Sequence, residues 1–210
     1  MRKIENNIKV WITSDTHYNH TNICRGVTAW RMPDGSLPES QTRDFPNLEK
    51  MNSAIVNNIN EVVGQDDILI HLGDWSFGGF ENIANLRHRI LCQEIHLILG
   101  NHDHHIDRNR ENCQSLFSSV QWFLQVNYMG ETIECMHFPI SSWNGLNKGR
   151  IHLHGHQHLP HHKKITNGRR MDVGMDGHPE FRPYDLHREI INPMKRLPIG
   201  SEMGGDDHHL

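Results

Sequence analysis

Short apolar strands that end in polar loops recur along the first half of this chain. The clearest is Asp67-Ile68-Leu69-Ile70-His71, which leads into Leu72-Gly73-Asp74. Residues 8–13 read Ile-Lys-Val-Trp-Ile-Thr and lead into Ser14-Asp15, and residues 94–99 have the same apolar character. Runs of this length, rich in β-branched residues, are typical of buried strands. Because ligands of α/β sheets bind just outside the carboxyl ends of the strands, we expect a functional site in these loops.

The segments between and after these strands predict an α/β protein. Apolar residues at helical spacing predict a helix over residues 47–63, and further helices are predicted over 80–90 and 107–117. Short strands separated by Gly, Asn and Pro turns are then predicted at 120–126, 131–136, 150–153 and 170–173. An α/β part followed by a β-rich part predicts two sheets in one domain, flanked by helices. We expect the domain to span residues 1–192 and residues 193–210 to form a flexible tail.

Composition limits the classes of protein to consider. The chain has 210 residues and a mass of 24.5 kDa, which suits one domain. No apolar run reaches the ~20 residues of a membrane-spanning helix. The four cysteines are too widely spaced for a disulfide framework or a thiolate zinc site, so we expect a cytoplasmic protein with reduced thiols. The net charge of −4 does not call for nucleic acid, whereas 19 histidines direct attention to metal binding.

Side chains that bind metals stand at five predicted strand ends. They occur in the blocks Asp15-Thr16-His17, Gly73-Asp74, Gly100-Asn101-His102-Asp103, His137 and Gly155-His156-Gln157-His158. A mixed set of nitrogen and oxygen ligands suits borderline divalent ions. Seven ligands are too many for one tetrahedral ion and suit two ions that share one carboxylate. Two ions ~3.5–4 Å apart can activate a hydroxide and clamp both the attacking and the leaving oxygen of a phosphoryl transfer.

The order of these blocks resembles a known family. It matches the five blocks of the calcineurin-like metallophosphoesterase superfamily, over residues 8–176. Five blocks in the right order are a far more specific signal than any one of them. The segment Asp15-Thr16-His17-x-x-His20-x-Asn22-Ile23 is most similar to the small stand-alone phosphoesterases of bacteria and phages. Residues 171–176, followed by Phe181-Arg182-Pro183, resemble the closing segment of those proteins.

The resemblance implies a fold and a role for each side chain. The fold is a four-layer αββα sandwich of two mixed sheets flanked by helices. The implied ligands are Asp15, His17 and His158 for the first metal ion and Asn101, His137 and His156 for the second, with Asp74 bridging the two. His102 would contact the phosphate and act as the general acid for the leaving group, and Asp103 would orient it.

Two departures from other branches of the superfamily narrow the expected activity. After Gly73-Asp74 this chain has Trp75-Ser76-Phe77-Gly78-Gly79, where the protein phosphatases carry Asp-Arg-Gly, so a phosphoprotein phosphatase is not expected. His102 stands where some small phosphodiesterases carry Cys, so the acid is present here. The resemblance therefore predicts a dimetal-dependent phosphoester hydrolase. The first hypothesis is a phosphodiesterase that acts on a nucleotide or a nucleic-acid end through a metal-bridging hydroxide.

Two alternatives to this function stay open. One is a phosphomonoesterase of the same fold, and the other is a non-catalytic binding scaffold, against which the complete set of ligands argues. The expected cofactor is a pair of divalent metal ions, with Mn²⁺ as the first choice and Fe, Ni²⁺ or Zn²⁺ as alternatives, because metal availability decides between these ions in mixed N/O sites. The expected partner is the phosphoester substrate, and no membrane is expected.

Several residues near the blocks have two interpretations each. His20 and Asn22 either line a substrate pocket or cap the turn after the first strand. A solvated position in a loop is expected for His104, His105, His161 and His162. The tryptophans Trp30, Trp75 and Trp143 either stack on a base or pack in the core or at the rim.

A basic stretch surrounds three of the proposed ligands. Residues 135–171 contain no Asp or Glu, and their cationic residues are Lys148, Arg150, Lys163, Lys164, Arg169 and Arg170. Such a stretch predicts a positive field that attracts a phosphate ester or an oligonucleotide backbone, unless acidic neighbours in space cancel it.

Overall fold

Two five-stranded sheets form the centre of the protein. The computed structural model describes residues 1–25, 31–36, 43–160 and 168–200. The strands are β1 (Arg2–Lys3), β2 (Val10–Thr13), β3 (Ile68–His71), β4 (Glu94–Ile98), β5 (Ser119–Gln121), β6 (Phe123–Tyr128), β7 (Glu131–Met136), β8 (Ile151–His154), β9 (Arg170–Asp172) and β10 (Tyr184–Asp185). The α-helices are α1 (Leu48–Val62), α2 (Phe80–Arg89), α3 (His104–Arg108) and α4 (Asn192–Met194), and a π-helix (Leu186–Ile191) runs directly into α4.

Each sheet combines parallel and antiparallel pairs. In the first sheet the order is β10-β2-β3-β4-β5, and all pairs are parallel except that β10 is antiparallel at one edge. In the second sheet the order is β1-β6-β7-β8-β9, and only β6 and β7 are antiparallel. The expected fold class, an αββα sandwich of two mixed sheets flanked by helices, is confirmed.

Two apolar cores lie on the two faces of the first sheet, because successive residues of a strand point to opposite faces. Trp11 and Leu69 belong to the core that includes α1 and α2, whereas Ile12 and Ile70 belong to the core shared with the second sheet. Helix α1 begins where the side chain of Asn47 accepts a hydrogen bond from the backbone N–H of Lys50. None of the helices in the described ranges is long and apolar enough to cross a membrane.

The predicted helix over residues 107–117 is wrong. Helix α3 ends at Arg108, and residues Gln114–Leu116 form only a 3-10 turn. Asn109 leaves the helical conformation, with φ of −120° and ψ of 82°, and its side-chain oxygen accepts a hydrogen bond from the backbone N–H of Asn112 at 3.1 Å. Such local bonds from Asn side chains compete with the helical hydrogen bonds.

The predicted strand over residues 120–126 is divided between the two sheets. Strand β5 ends at Gln121 in the first sheet, and β6 begins at Phe123 in the second. The two-residue strands β1 and β10 were not predicted, because two residues are too few to show a period. Residue pattern alone does not reveal a crossover of one residue, since the change of sheet depends on which strands pair with β5 and β6.

The described part of the C-terminal segment packs on the core. Met194 is buried, and Leu197 packs against the core between the sheets. The expected tail, residues 193–210, therefore includes residues that contribute to the core, while residues 201–210 lie outside the described part of the chain.

Candidate metal centre

The strand ends of both sheets meet at one edge of the sandwich. Parallel registry places Thr13 beside His71, and His71 beside Leu97, so the loops after β2, β3 and β4 leave the sheet together. Two backbone hydrogen bonds join the first two loops, from Asp15 to Gly73 at 2.9 Å and from His17 to Asp74 at 3.0 Å. The second sheet contributes His137 after β7 and residues 155–158 after β8.

The proposed ligands of the first ion form one cluster. Asp15 Oδ1 lies 3.8 Å from His17 Nε2 and 3.6 Å from His158 Nε2. In the described part of the chain, Asp15 Oδ1 and His17 Nε2 are both buried and neither has a hydrogen-bond partner. Buried polar atoms without partners are costly, so this pair of atoms fits a bound cation, which would complete their coordination.

The proposed ligands of the second ion lie beside the first cluster. Asn101 Oδ1 is 3.0 Å from His137 Nε2 and 2.9 Å from His156 Nδ1. Asp74 Oδ2 connects the two clusters, since it lies 3.4 Å from His17 Nε2 and 3.6 Å from His137 Nε2. Asp15, Asp74 and His137 also form a compact group. The structure thus brings all seven sequence-predicted ligand side chains together, and the donor set fits two divalent ions.

The outer ring nitrogens of the histidines leave the inner ones free to bind metal. The Nδ1 atom of His137 lies 2.7 Å from the carbonyl oxygen of Leu72, and that of His158 lies 2.8 Å from Asp176 Oδ2. Both partners only accept hydrogen bonds, so each Nδ1 carries a proton and each Nε2 is the nitrogen that faces the site. The Nδ1 atom of His17 faces the Nδ1 atom of His20 at 3.1 Å, an arrangement in which His20 can play the same role for His17.

Backbone strain is concentrated on these ligands. Eight residues other than glycine have a positive φ in the described part of the chain, and five of them are Asp15, His17, Asp74, His156 and His158. Left-handed backbone costs residues with a Cβ about 1–3 kcal/mol each and persists where the surrounding structure enforces it. The strained backbone lowers the stability of the fold and directs these side chains toward one point, which is typical of functional sites.

Glycines in two of the sequence blocks allow the loops to approach each other. A Cβ atom on Gly155 would overlap the side chains of Ser14 and Asp15, and one on Gly100 would overlap Asp74. These glycines are therefore required by the close contact of the loops, because any other residue would displace a carboxylate of the site.

The position of Asp103 differs from its expected role. Its carboxylate is buried and accepts backbone hydrogen bonds from Asp74 at 2.8 Å, Trp75 at 3.0 Å and Gly100 at 2.8 Å. In the described part of the chain its hydrogen bonds go to these backbone N–H groups and not to the His102 ring, so they give no support to the expectation that Asp103 orients this ring. Asp103 thus holds the loop that carries Asp74.

His102 stands at the open side of the site. Its backbone N–H donates to Asp74 Oδ1 at 2.9 Å, which anchors this oxygen and leaves Asp74 Oδ2 facing the two clusters. Its ring centre is 5.4 Å from that of His17 and 5.2 Å from that of Phe77. Burial, together with the nearby His104 and His137, lowers the pKa of His102.

The electrostatics of the site without metal also favour a cation. Burial and the neighbouring Asp15 raise the pKa of Asp74 to about 7. Burial and His158 hold the pKa of His17 well below its usual range. Burial would lower the pKa of His158, but Asp15 and Asp176 outweigh it and raise this pKa to about 9. Two close carboxylates, one of them with a raised pKa, are an arrangement that a divalent ion stabilises.

Arg43 and Asp176 support the site and were not predicted. The guanidinium of Arg43 donates to the carbonyl oxygens of Asp15 and Thr16 and to both carboxylate oxygens of Asp176, at 2.8 and 2.9 Å. Asp176 in turn accepts from His158. Burial would raise the pKa of Asp176, but Arg43 and His158 hold it well below its usual range. Arg43 lies far from every block in the sequence, so no local pattern indicated it.

A cleft of about 380 Å³ opens over the cluster. Its lining bears on whether His20 and Asn22 line a substrate pocket or cap the turn after the first strand. Both residues line it, together with Ile23 and His102. The side chain of His20 makes no capping hydrogen bond to the 3-10 turn Thr21–Ile23, so the pocket interpretation is favoured. Burial and the nearby His102 lower the pKa of His20 to about 4.

The tryptophans and the extra histidines lie away from this cleft where they are described. Trp75 is fully buried, and its indole N–H donates to the carbonyl oxygen of Ile83 at 3.2 Å. Trp143 is buried and donates to the carbonyl oxygen of Arg150 at 2.9 Å. His104 and His105 are exposed, as expected. Residues Trp30, His161 and His162 lie outside the described ranges.

The arginines of the basic stretch serve the fold. Arg150 pairs with the buried Glu134 at 3.2 Å. Arg169 donates to the carbonyl oxygen of Gly149 at 3.0 Å, and Arg170 to that of Ile140 at 2.9 Å. The expected positive field is therefore reduced by an acidic neighbour, and Lys163 and Lys164 lie outside the described ranges.

The chain is similar to several known proteins in sequence or in fold. The chain is 28% identical to the gene 66 protein of Mycobacterium phage D29, over 89% of this chain and 97% of that protein. It is 31% identical to an uncharacterised protein of Methanocaldococcus jannaschii, over 88% of this chain and 84% of that protein. A solved structure of a protein of unknown function from Aquifex aeolicus has the same fold, with a TM-score of 0.58, 20% identity, and coverage of 84% of this chain and 95% of that one.

A family profile identifies the chain directly. The profile of the calcineurin-like phosphoesterases matches residues 8–177, which contain strands β2 to β9 and every side chain of the cluster. The chain belongs to the calcineurin-like phosphoesterase family.

Proposed function

We propose that this protein is a dimetal-dependent phosphodiesterase that acts on a nucleotide or a nucleic-acid end. The observation that supports this most is the cluster itself: seven side chains from the loops of both sheets converge, and five of them stand on strained backbone. A binding scaffold has no chemical need for this strain.

Seven side chains would bind the metal ions, and one further side chain would donate a proton. One ion would be bound by Asp15, His17 and His158. The other would be bound by Asn101, His137 and His156. Asp74 would bind both ions. Two divalent ions held there supply Lewis-acid activation of water and of the phosphate oxygens. We propose Mn²⁺ first, because the donors are mixed nitrogen and oxygen. His102, at the open side of the cluster, would hold the proton that the departing oxygen receives.

The charge of the cleft favours a diester over a monoester. Among the described residues that line the cleft there is no Lys or Arg. A monoester is close to a dianion at neutral pH, and its extra charge is commonly held by such cations. A diester carries a single negative charge, which two metal ions already neutralise. The lining therefore supports a diesterase.

Metal analysis and two model substrates test the proposal. We expect about two Mn²⁺ per chain and a higher kcat/KM for bis-(p-nitrophenyl) phosphate than for p-nitrophenyl phosphate. His156→Ala should lower metal content and activity, while the exposed His105→Ala is the matched control and should keep both. A higher kcat/KM for the monoester would identify a phosphomonoesterase. Two bound ions with no turnover of any phosphoester would identify a scaffold.

A further inference from the structure

The cleft extends well beyond the proposed metal ligands. Its volume of about 380 Å³ is within the range of small-molecule sites, ~300–1,000 Å³, and exceeds what a phosphate group alone requires. The lining also includes residues that are not proposed metal ligands, namely His20, Asn22 and Ile23. This part of the lining stands on the same side as His102, where the departing group of a diester would lie.

An exposed aromatic ring continues this part of the lining outward. Phe77 stacks flat on His20, with ring centres 3.7 Å apart and an angle of 8° between the planes. The Phe77 ring is also 5.2 Å from His102 and remains 36% exposed, although one of its faces is covered. Phe77 does not itself line the cleft, but its contacts with His20 and His102, which both do, place it at the border of the cleft.

The chemistry of these lining residues and Phe77 selects a flat, uncharged group. Phe77 offers a ring for stacking, Ile23 offers apolar contact, and the Asn22 amide offers both a donor and an acceptor. No Lys or Arg lines the cleft within the described ranges, so a further phosphate group of the substrate would find no partner there. A nucleobase combines a stacking face with a hydrogen-bonding edge and carries no charge at neutral pH.

We propose that Phe77, stacked on His20, forms a subsite for the nucleobase of the departing nucleoside, with Asn22 at the edge of the base. This inference rests on the proposed phosphodiesterase function and makes it more specific, because it assigns the leaving group a nucleoside. Phe77 acts here as a specificity-determining residue.

A matched pair of substrates tests the subsite. Thymidylyl-thymidine is compared with the analogue whose departing sugar is an abasic tetrahydrofuran, so that the leaving alcohols are similar and only the base differs. Stacking on an aromatic side chain contributes about 1–3 kcal/mol per base. The wild-type protein loaded with Mn²⁺ should therefore cleave the base-bearing substrate about 5–150-fold faster in kcat/KM.

Variants of the exposed phenylalanines separate stacking from structural support. Phe77→Leu should bring the ratio of the two kcat/KM values close to one, and Phe77→Trp should keep it. Phe80 is 46% exposed and, within the described ranges, has no ring contact with His20 or His102, so it provides the control Phe80→Leu, which should keep the wild-type ratio. Metal content is measured for each variant. Equal rates on both substrates in the wild type, or a loss in Phe77→Leu that is equal for both and accompanied by loss of metal, would overturn the subsite.

Product binding tests the subsite independently of turnover. Titration calorimetry should show thymidine, the departing product, binding about 5–150-fold more tightly than the abasic tetrahydrofuran alcohol to the wild type, but not to Phe77→Leu. Equal affinities of the wild type for these two ligands would contradict the subsite. If neither diester nor the nitrophenyl substrates are cleaved while this difference persists, the proposed activity fails and the subsite stands.

Discussion

The hydrogen bonds between Arg43 and the strained loop after β2 permit a quantitative prediction of how much stability Arg43 contributes. The Arg43 side chain is only 3% exposed, and it binds two backbone carbonyl groups and both oxygens of Asp176. Arg43→Met keeps much of the apolar stem and removes the charge. Asp176 then loses its main partner, and the carbonyl oxygens of Asp15 and Thr16 lose their donors.

The cost can be derived from the burial of the two partners. Removing one member of a buried ion pair destabilises a protein by about 3–5 kcal/mol. The Asp176 side chain is 18% exposed, so water can solvate it in part, and we expect the lower end, about 3 kcal/mol. For a domain of this size, ~2–4 °C per kcal/mol converts this into a fall in Tm of about 6–12 °C.

Urea unfolding in the presence of a chelator measures this change without a contribution from bound metal. Arg188→Met is the matched control, because Arg188 is 76% exposed and its nearest carboxylate, on Asp185, is 3.9 Å away. We expect this control to change the free energy of unfolding by less than about 0.5 kcal/mol. A loss below about 1 kcal/mol in Arg43→Met would show that these hydrogen bonds do not hold the loop.

The metal affinity of Arg43→Met provides a second measurement. Loss of outer partners of metal ligands typically weakens metal binding about 10–100-fold. The Kd for Mn²⁺ should rise by that factor, because the loop that carries Asp15 and His17 is no longer held. An unchanged Kd together with a large loss of stability would restrict the role of Arg43 to folding.

Three further predictions concern the site and the acid stability of the fold. Asp74→Asn should lower the Mn²⁺ content at both positions, and a larger loss of activity in Asp15→Ala than in Asp74→Ala at saturating metal would contradict the bridging role of Asp74. His102→Ala should slow the cleavage of alkyl phosphodiesters roughly 10²–10⁴-fold and that of nitrophenyl diesters far less, at unchanged metal content, whereas equal losses on both would remove His102 from the mechanism. Burial lowers the pKa of His152 from 6.5 to about 4. As the pH falls, the unfolded chain therefore protonates this histidine at a higher pH than the folded protein does. The folded state loses stability between about pH 6.5 and 4 as a result. His152→Gln should therefore reduce the slope of unfolding free energy against pH in this window by up to about 1.4 kcal/mol per unit, measured by urea titrations, and an unchanged slope would contradict the assignment.

Some errors of the sequence-based interpretation have a common cause. The helix expected over 107–117 ends at Arg108 because Asn109 makes a local hydrogen bond, and the strand expected over 120–126 changes sheets at Trp122. In both cases the break is set by hydrogen bonds, within the turn at Asn109 and between strands on either side of Trp122, which residue types do not show. The spacing of apolar residues indicates which side chains are buried, but it does not show where the backbone ends a helix or passes from one sheet to the other.

The sequence by itself determined which residue types stand at the strand ends and in what order. Strand burial and the chemistry of carboxylate and imidazole side chains are local properties, so Asp15, Asp74 and His137 could be placed at strand ends without coordinates.

Only the tertiary structure decided what each side chain contacts. Asp103 precedes α3 in a block of apparent catalytic residues, yet its carboxylate binds three backbone N–H groups and supports the loop of Asp74. Arg43 reaches Asp176 across 133 positions of sequence, and Phe77 meets His20 although 57 positions separate them. Hydrogen bonds and stacking act over a few ångströms in space, and the chain brings such partners together only when both sheets have packed, so no sequence pattern records them.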